Sequence, residues 1–382
     1  MNEHDEKALR LFERIMSFDT QNPPGNEKPL AEFIADSLRS AGCEASVREI
    51  SQGRADVVAR IHGGHGRPLV LCGHMDTVPA GDPARWSHPP IGFAREDGKV
   101  FGRGSSDMKS GLSAVVSALM RFGGLPRVPE RDIVFFGTAD EESGGEGARA
   151  LLDEPALKDA QAIVIAEPTG NQISLASKGV LWLDFTVRGR ASHAAYPSDG
   201  INAVDMAYEL SGRINELCRG YSHKYLTAPT CTVTGISGGV KVNMVPDVCS
   251  LTLDVRTVPA LSNGVLLHQI DSVSRRLCAE HPGLGITLDV RGNRPSVETD
   301  GNDPTVRRLS EIRADVCGTP THFMGTGYFS DASVFISASS APSMLFGPGI
   351  PDECHVPDEY SELEEYLRSV RCYEALIDSY YK

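Results

Sequence analysis

The sequence predicts an α/β fold in which a layered domain is interrupted by a smaller inserted one, and three observations carry that reading. Residues 1 to about 177 mix helical periodicity with short strand-like runs that are apolar at consecutive positions, as strands covered by helices on both faces tend to be. From Leu181 the pattern becomes strict alternation, the mark of strands wet on one side. After about Gly292 the first pattern returns. A chain of 382 residues also exceeds the roughly 250 to 300 at which a single core stops growing. The layered domain is therefore expected in two parts, 1–177 and 293–382, with the inserted domain at 178–292.

Taken in order, the first element is an amphipathic helix with Ala8, Leu11, Phe12, Ile15 and Met16 on one stripe. A Pro23-Pro24-Gly25 breaker precedes a second helix with Leu30, Ile34 and Leu38 at four-residue spacing. Strands are expected at Val57 to Ile61, Leu69 to Cys72, Ile133 to Thr138 and Ala162 to Ala166, with an apolar helix from Leu112 to Phe122. In the insertion, Leu181, Leu183, Phe185 and Val187 share one face of a strand and Asp184, Thr186 and Arg188 the other. A helix aligning Ala203, Ala207, Leu210, Ile214 and Leu217 follows, then strands near Thr230 to Ile236 and Cys249 to Arg256. A helix with Leu266, Ile270, Val273 and Leu277 and a strand alternating Ile286, Leu288 and Val290 complete a β-α-β-β-α-β order, the split unit of ferredoxin-like domains. The last part holds a helix near Asp303 to Asp315, a strand near Ser343 to Phe346 and a helix from about Ser361.

Charge and composition exclude several classes. The formal charge is −14 and no basic run occurs, so nucleic acid and anionic membranes are not expected partners. The acidic N-terminal segment does not read as a signal peptide, and no uncharged run approaches the roughly 20 residues of a membrane span. Nine scattered cysteines, none spaced as Cys-x-x-Cys, read as reduced thiols of a cytoplasmic protein.

Five segments place acids or imidazoles just after strand-like runs, where open α/β sheets build their sites. VLCGHMDTVP carries His74 and Asp76, which share a face on extended backbone, so Asp76 is expected to orient the imidazole. GRGSSDMKSG places Asp107 at the start of a helix, where a plain helix cap is the bland reading; a phosphate loop fails for want of glycine and of Gly-Lys-Ser/Thr. IVFFGTADEESGG ends a buried strand with Asp140, Glu141 and Glu142, a run that elsewhere would be a solvated acidic turn. IVIAEPTG contributes Glu167, and FGPGIPDECHVPDEY contributes His355. Together they supply the ligands of a two-metal site. Asp107, Glu142 and Glu167 would set three negative charges against the four positive of two divalent ions, whereas without metal the cluster would be destabilising.

These segments, in this order, resemble the M20 metallopeptidase and deacylase family, which includes acetylornithine deacetylase, succinyl-diaminopimelate desuccinylase, carboxypeptidase G2-like enzymes and aminoacylase 1. The likeness runs from TQNPPGNE near Thr20 to HVPDEY near Tyr360 and includes the insertion. The resemblance implies a zinc-peptidase-like catalytic domain with a lid and dimerisation domain. It implies that His74 and Glu167 bind one metal, that Glu142 and His355 bind the other, and that Asp107 bridges them, with a cis peptide between Asp107 and Met108. Glu141 would be the general base, Asp76 the partner of His74, and His193 a residue that reaches the partner subunit's active site. Asn243, Arg256, Thr326 and Gly327 match positions that hold the substrate carboxylate. The expected cofactor is a pair of divalent ions, Zn with Co or Mn as alternatives. The expected reaction is removal of an acyl group from an N-acyl amino acid with a free carboxylate. A carboxypeptidase or dipeptidase is the nearest rival, and an inactive binding paralogue the rival from another class. Cys354 stands where relatives commonly have Ala, and His88, His62 and His65 are read as non-ligands in loops without an acidic partner.

Overall fold

Strands Gly66–His74, Arg131–Thr138, Ala162–Ile165 and Ser343–Leu345 run parallel to one another, so their carboxyl ends open on one edge of a mixed sheet. The computed structural model describes residues 2–381, in two compact units. The first runs to Leu175 and resumes over Thr299–Met324 and from Ser330; the second comprises Ala176–Glu298 and Gly325–Phe329. In the first unit the sheet order begins Glu44–Ser51, Arg54–Ile61, Arg131–Thr138, Gly66–His74, Ala162–Ile165 and Ser343–Leu345, with the first two strands antiparallel to their neighbours, and it continues with Ile173–Ser177, antiparallel to Ser343–Leu345. Leu69, Val70, Leu71 and Cys72 are fully buried, which is why this stretch is apolar without alternation. Glu44–Ser51 was not expected. It is an edge strand with no fully buried side chain, and its alternation of Ala45 and Val47 is broken before Ile50 near a register shift between Glu49 and Ser51, so its hydrophobic signal is weak.

Helix Lys28–Ser40 packs on the two outer strands and Lys109–Phe122 on Gly66–His74, while Glu3–Met16 and Leu363–Asp378 pack against Lys109–Phe122. In Glu3–Met16 it is Leu9, and not Leu11, that joins Ala8, Phe12, Ile15 and Met16 in the core; Leu11 is half-buried. Asn2 caps that helix by accepting from the Asp5 N–H at 2.9 Å. Among the described residues no helix is long and apolar enough to cross a membrane.

The second unit is a four-stranded antiparallel sheet in the order Thr230–Gly238, Val248–Thr257, Gly179–Arg188, Gly285–Arg294, with helices Ala203–Leu217 and Asn263–Glu280 packed on it. Leu181, Leu183, Phe185 and Val187 are buried and Arg188 is exposed, as alternation requires. Val290 is exposed, because a register shift between Val290 and Gly292 breaks the alternation of that edge strand. A Cβ at Gly292 would lie 2.4 Å from the Trp182 ring, so the shift admits only glycine without displacement.

Candidate metal centre

Parallel register aligns the site before any side chain is considered. His74 lies level with Thr138, so the strand beside it delivers Asp140, Glu141 and Glu142 just beyond the same edge. Cys72 pairs with Ile165, which places Glu167 at the corresponding height on the other side. Asp107 arrives from a different direction. Its peptide to Met108 is cis, as the family resemblance implied, and helix Lys109–Phe122 begins directly afterwards. That helix has no side-chain cap, so the carboxylate of Asp107 is not used as one.

The side chains then converge. His74 Nε2 is 3.0 Å from Asp107 Oδ1, and His355 Nε2 is 3.3 Å from Asp107 Oδ2, so each carboxylate oxygen faces a different imidazole. His355 Nε2 also lies 3.2 Å from Glu142 Oε1. Ligand atoms of His74, Asp107 and Glu142 fall within 4.8 Å of one another. His355 reaches in from an exposed loop with φ of 64°, a conformation that costs a β-carbon-bearing residue energy and that the loop prolines and neighbours must hold. Glu141 and Glu167 are buried beside the same group, and Glu141 Oε1 has no hydrogen-bond partner among the described residues.

Protonation follows from these contacts. His74 Nδ1 donates to the carbonyl oxygen of Asp76 at 2.9 Å, so a neutral imidazole presents the lone pair of Nε2 to the lone pairs of Asp107 Oδ1. Two acceptors at that separation need a cation between them. In the protein alone a proton fills that role: burial depresses His74, but the carboxylates of Asp107 and Glu167 raise it well above its ordinary value. Asp107 and Glu142 hold His355 up at about 10 against burial. Burial drives Glu141 upward, and burial followed by the charge of Asp107 drives Glu142 and Glu167 upward. Asp107 moves the other way; burial would raise it, but the two imidazoles hold it low. Four carboxylates and two imidazoles with nitrogen and oxygen donors, one unsatisfied buried oxygen and facing acceptors fit a pair of divalent cations, which would replace those protons.

Asp76 is the partner of His74, as expected, but through its main chain and not through a hydrogen-bonded carboxylate. Its main-chain carbonyl takes the Nδ1 hydrogen, while its carboxylate lies 3.6 Å from that nitrogen and accepts instead from the backbone N–H of Glu141 and Glu142, both at 3.1 Å. Asp76 thus anchors the turn that carries two other site residues. The residues missed in the sequence are of the same kind. Glu359, fully buried, accepts from the N–H of Gly104 (3.1 Å), Ser106 (2.8 Å) and Asp107 (3.0 Å) and pairs with Arg103. Its position four residues after His355 in HVPDEY was the available signal. Cys354 fills space beside His355, with Sγ 3.3 Å from the Ile350 carbonyl.

The other expected residues lie in the second unit. His193 is exposed and pairs across an isolated antiparallel bridge with Met244, and the Ala194 N–H donates to the Asn243 carbonyl at 3.0 Å, so His193 and Asn243 share one ribbon. Arg256 is not free to await a ligand: its guanidinium holds both oxygens of Asp254, at 2.7 and 3.0 Å. Thr326 is buried and its carbonyl accepts the Lys178 N–H at 3.1 Å, next to Gly327. His88 and His62 were expected to lack acidic partners, yet His88 lies 2.9 Å from Glu96 and His62 2.6 Å from Glu44, because strand pairing and loop packing bring in acids remote from each loop's own sequence. His88 also stacks on Phe101 with ring centroids 4.0 Å apart. Among the described residues no acidic partner lies against His65.

The family model described as Peptidase family M20/M25/M40 matches residues 70–379. A protein of Staphylococcus aureus (strain N315) named "Probable succinyl-diaminopimelate desuccinylase" is 29% identical, with 99% of this chain and 98% of that protein covered. Among solved structures, aminopeptidase PepT from Bacillus cereus superposes with a TM-score of 0.79 at 19% identity, covering 99% of each chain. A dinuclear metal-binding peptidase of the M20 family from Bacillus subtilis gives 0.73 at 15% identity, over 99% of this chain and 98% of that one. Those two likenesses establish the mixed α/β fold.

Proposed function

The chain belongs to peptidase family M20/M25/M40, metal-dependent hydrolases of amide bonds, and from that membership we propose that it removes the acyl group from an N-acyl amino acid. The observation that carries the reading is Asp107 set between two imidazoles, each carboxylate oxygen facing one of them beside Glu142. His74 and Glu167 are assigned to one ion, Glu142 and His355 to the other, and Asp107 to both; Zn is the metal we favour for this nitrogen and oxygen set, with Co or Mn as alternatives. Divalent ions bound there would supply Lewis acidity toward water and the scissile carbonyl. Glu141 is the proton carrier. Its buried carboxyl has an uncommitted oxygen and a raised proton affinity, which suits a group that takes a proton from water and passes it to the leaving amine.

The name of the S. aureus relative supports a desuccinylase-type deacylase, with a dicarboxylic acyl group released as the free diacid once the amine has left. Retention of all six positions, His74, Asp107, Glu141, Glu142, Glu167 and His355, speaks against an inactive paralogue. Arg256 is the proposed anchor of the substrate carboxylate, and Asn243, Thr326 and Gly327 are proposed to share that task; binding would have to displace Asp254 from Arg256. Oxyanion stabilisation is assigned to His193 of a second copy. The second unit supports pairing of copies: its edge strand Thr230–Gly238 exposes Val233 and Ile236, and helix Ala203–Leu217 exposes Tyr208. Incubating Zn- and Co-loaded enzyme with N-acetylornithine, N-succinyl-diaminopimelate and a set of dipeptides, with products separated by chromatography, tests the reading. Turnover of the acylated amino acids is expected; exclusive cleavage of dipeptides would overturn the deacylase assignment in favour of a peptidase.

A further inference from the structure

Asn22 lies in TQNPPGNE, a segment that the hydrolytic assignment leaves without a task. The segment runs alongside the end of the strand that carries His74. The Thr20 hydroxyl donates to the Met75 carbonyl at 2.7 Å, Gln21 and Thr77 form a parallel bridge, and the Asn22 N–H donates to the Thr77 carbonyl at 2.8 Å. So held, Asn22 is 4% exposed, and its amide nitrogen sends one hydrogen to Asp76 Oδ2 and the other to Asp140 Oδ1, both at 2.9 Å. Both partners are carboxylates, which only accept, so the nitrogen and not the oxygen of the amide must face them.

What those two carboxylates do gives the contact its meaning. Asp76 accepts from the N–H of Glu141 and of Glu142, and therefore sets where the proton carrier and an adjacent metal ligand stand. Asp140 precedes them at φ of 67°, closes its own turn by accepting from the Glu146 N–H at 3.2 Å, and is paired with Arg54 at 2.9 Å, which also holds Glu27 at 2.5 Å. Two buried carboxylates sharing one donor repel each other, and a single NH₂ group with a hydrogen for each is the neutral device that keeps them in place. Resting on the proposed hydrolytic site, we propose that Asn22 is a positioning residue: by bridging Asp76 and Asp140 it fixes the turn that aims Glu141 and Glu142.

Full-length wild type, Asn22→Ala and the near-isosteric Asn22→Asp are to be compared by circular dichroism, by Co²⁺ titration followed through visible absorption, and by steady-state kinetics on the substrate wild type turns over. The expected result is a kcat lower by about 100-fold in both variants with KM within about threefold, since displacement of a general base costs rate more than binding. The Co²⁺ spectrum should change as well, because Glu142 moves with Glu141. Asn22→Asp is expected to lose at least as much as Asn22→Ala, its added charge facing two carboxylates, and it decides the matter if the alanine variant does not fold. Folded variants with a lower Tm but with kcat and Co²⁺ spectrum like wild type would overturn the inference while leaving the hydrolase intact. Wild type that neither binds Co²⁺ nor cleaves an amide would overturn the hydrolytic site itself, and this inference with it.

Discussion

At the residue scale, the hydrogen bond from His74 Nδ1 to the Asp76 carbonyl fixes which nitrogen can ligate, and the facing pair of His74 Nε2 and Asp107 Oδ1 makes the site a proton store when no cation is bound. His74 and His355 both face carboxylates and are raised above the ordinary histidine value by them, net of burial, so each must lose a proton to bind metal at neutral pH. Zn²⁺ binding at pH 7 should therefore release at least about one proton per protein. Calorimetry in buffers of different ionisation enthalpy reads this directly, and a zero proton count would contradict the assignment of both imidazoles. Replacing Glu141 by Ala removes the proposed proton carrier but none of the proposed ligands. A fall in kcat of about 10²- to 10⁴-fold with metal content retained is expected, measured by kinetics together with elemental analysis; full activity would remove Glu141 from its role.

At the element scale, the loops that bear the proposed ligands are held by buried carboxylates that collect backbone N–H groups. Glu359 does this for the loop that carries Asp107, with Arg103 as its counter-charge, and so ties that loop to the one bearing His355. Neutralising one partner of a buried pair costs about 3 to 5 kcal/mol, so Glu359→Gln should lower Tm and weaken metal binding together. Unchanged metal affinity would show that the Asp107 loop holds its shape without this anchor. Asp56, on strand Arg54–Ile61, gives an independent test of burial. Its Oδ1 accepts the Ala139 N–H at 2.9 Å, and burial, reinforced by the charges of Asp331 and Glu27, pushes its carboxyl up to about 8. A carboxyl raised in the folded state contributes stability that is complete below the ordinary carboxylate range and is lost as pH rises toward about 8. Wild type should thus lose Tm relative to Asp56→Asn between pH 5 and 8.5, by amounts that calorimetric scans across that window would resolve.

At the scale of the whole molecule, the chain divides into a layered α/β unit holding the proposed metal centre and a ferredoxin-like unit whose edge strand bears exposed valine and isoleucine. An unpaired apolar edge is a ready template for a second strand. If copies join there, Val233→Lys combined with Ile236→Lys should shift sedimentation from dimer to monomer. A wild type that sediments as an active monomer would withdraw the trans role of His193. The organisation was legible in the sequence because it rests on periodicity: consecutive apolar runs such as Leu69 to Cys72 meet two covered faces, and the alternation from Leu181 to Val187 meets one. Where periodicity was short and only half-buried, as in the edge strand Glu44–Ser51, or interrupted, as at Val290, the reading stopped.

The sequence by itself determined the kind of elements, their order, and an inventory of acids and imidazoles at strand ends, since all of these depend on neighbours along the chain. It could not determine what each side chain touches. Asp76 turns its carboxylate to a turn 65 residues away, Glu359 gathers N–H groups 252 to 255 residues before it, and His88 finds Glu96. Arg256 needed no distance at all, yet its pairing with Asp254 depends on two strand residues sharing a face. Tertiary structure decided these partners because a buried polar group takes the nearest complementary atom that packing delivers, whatever its place in the sequence.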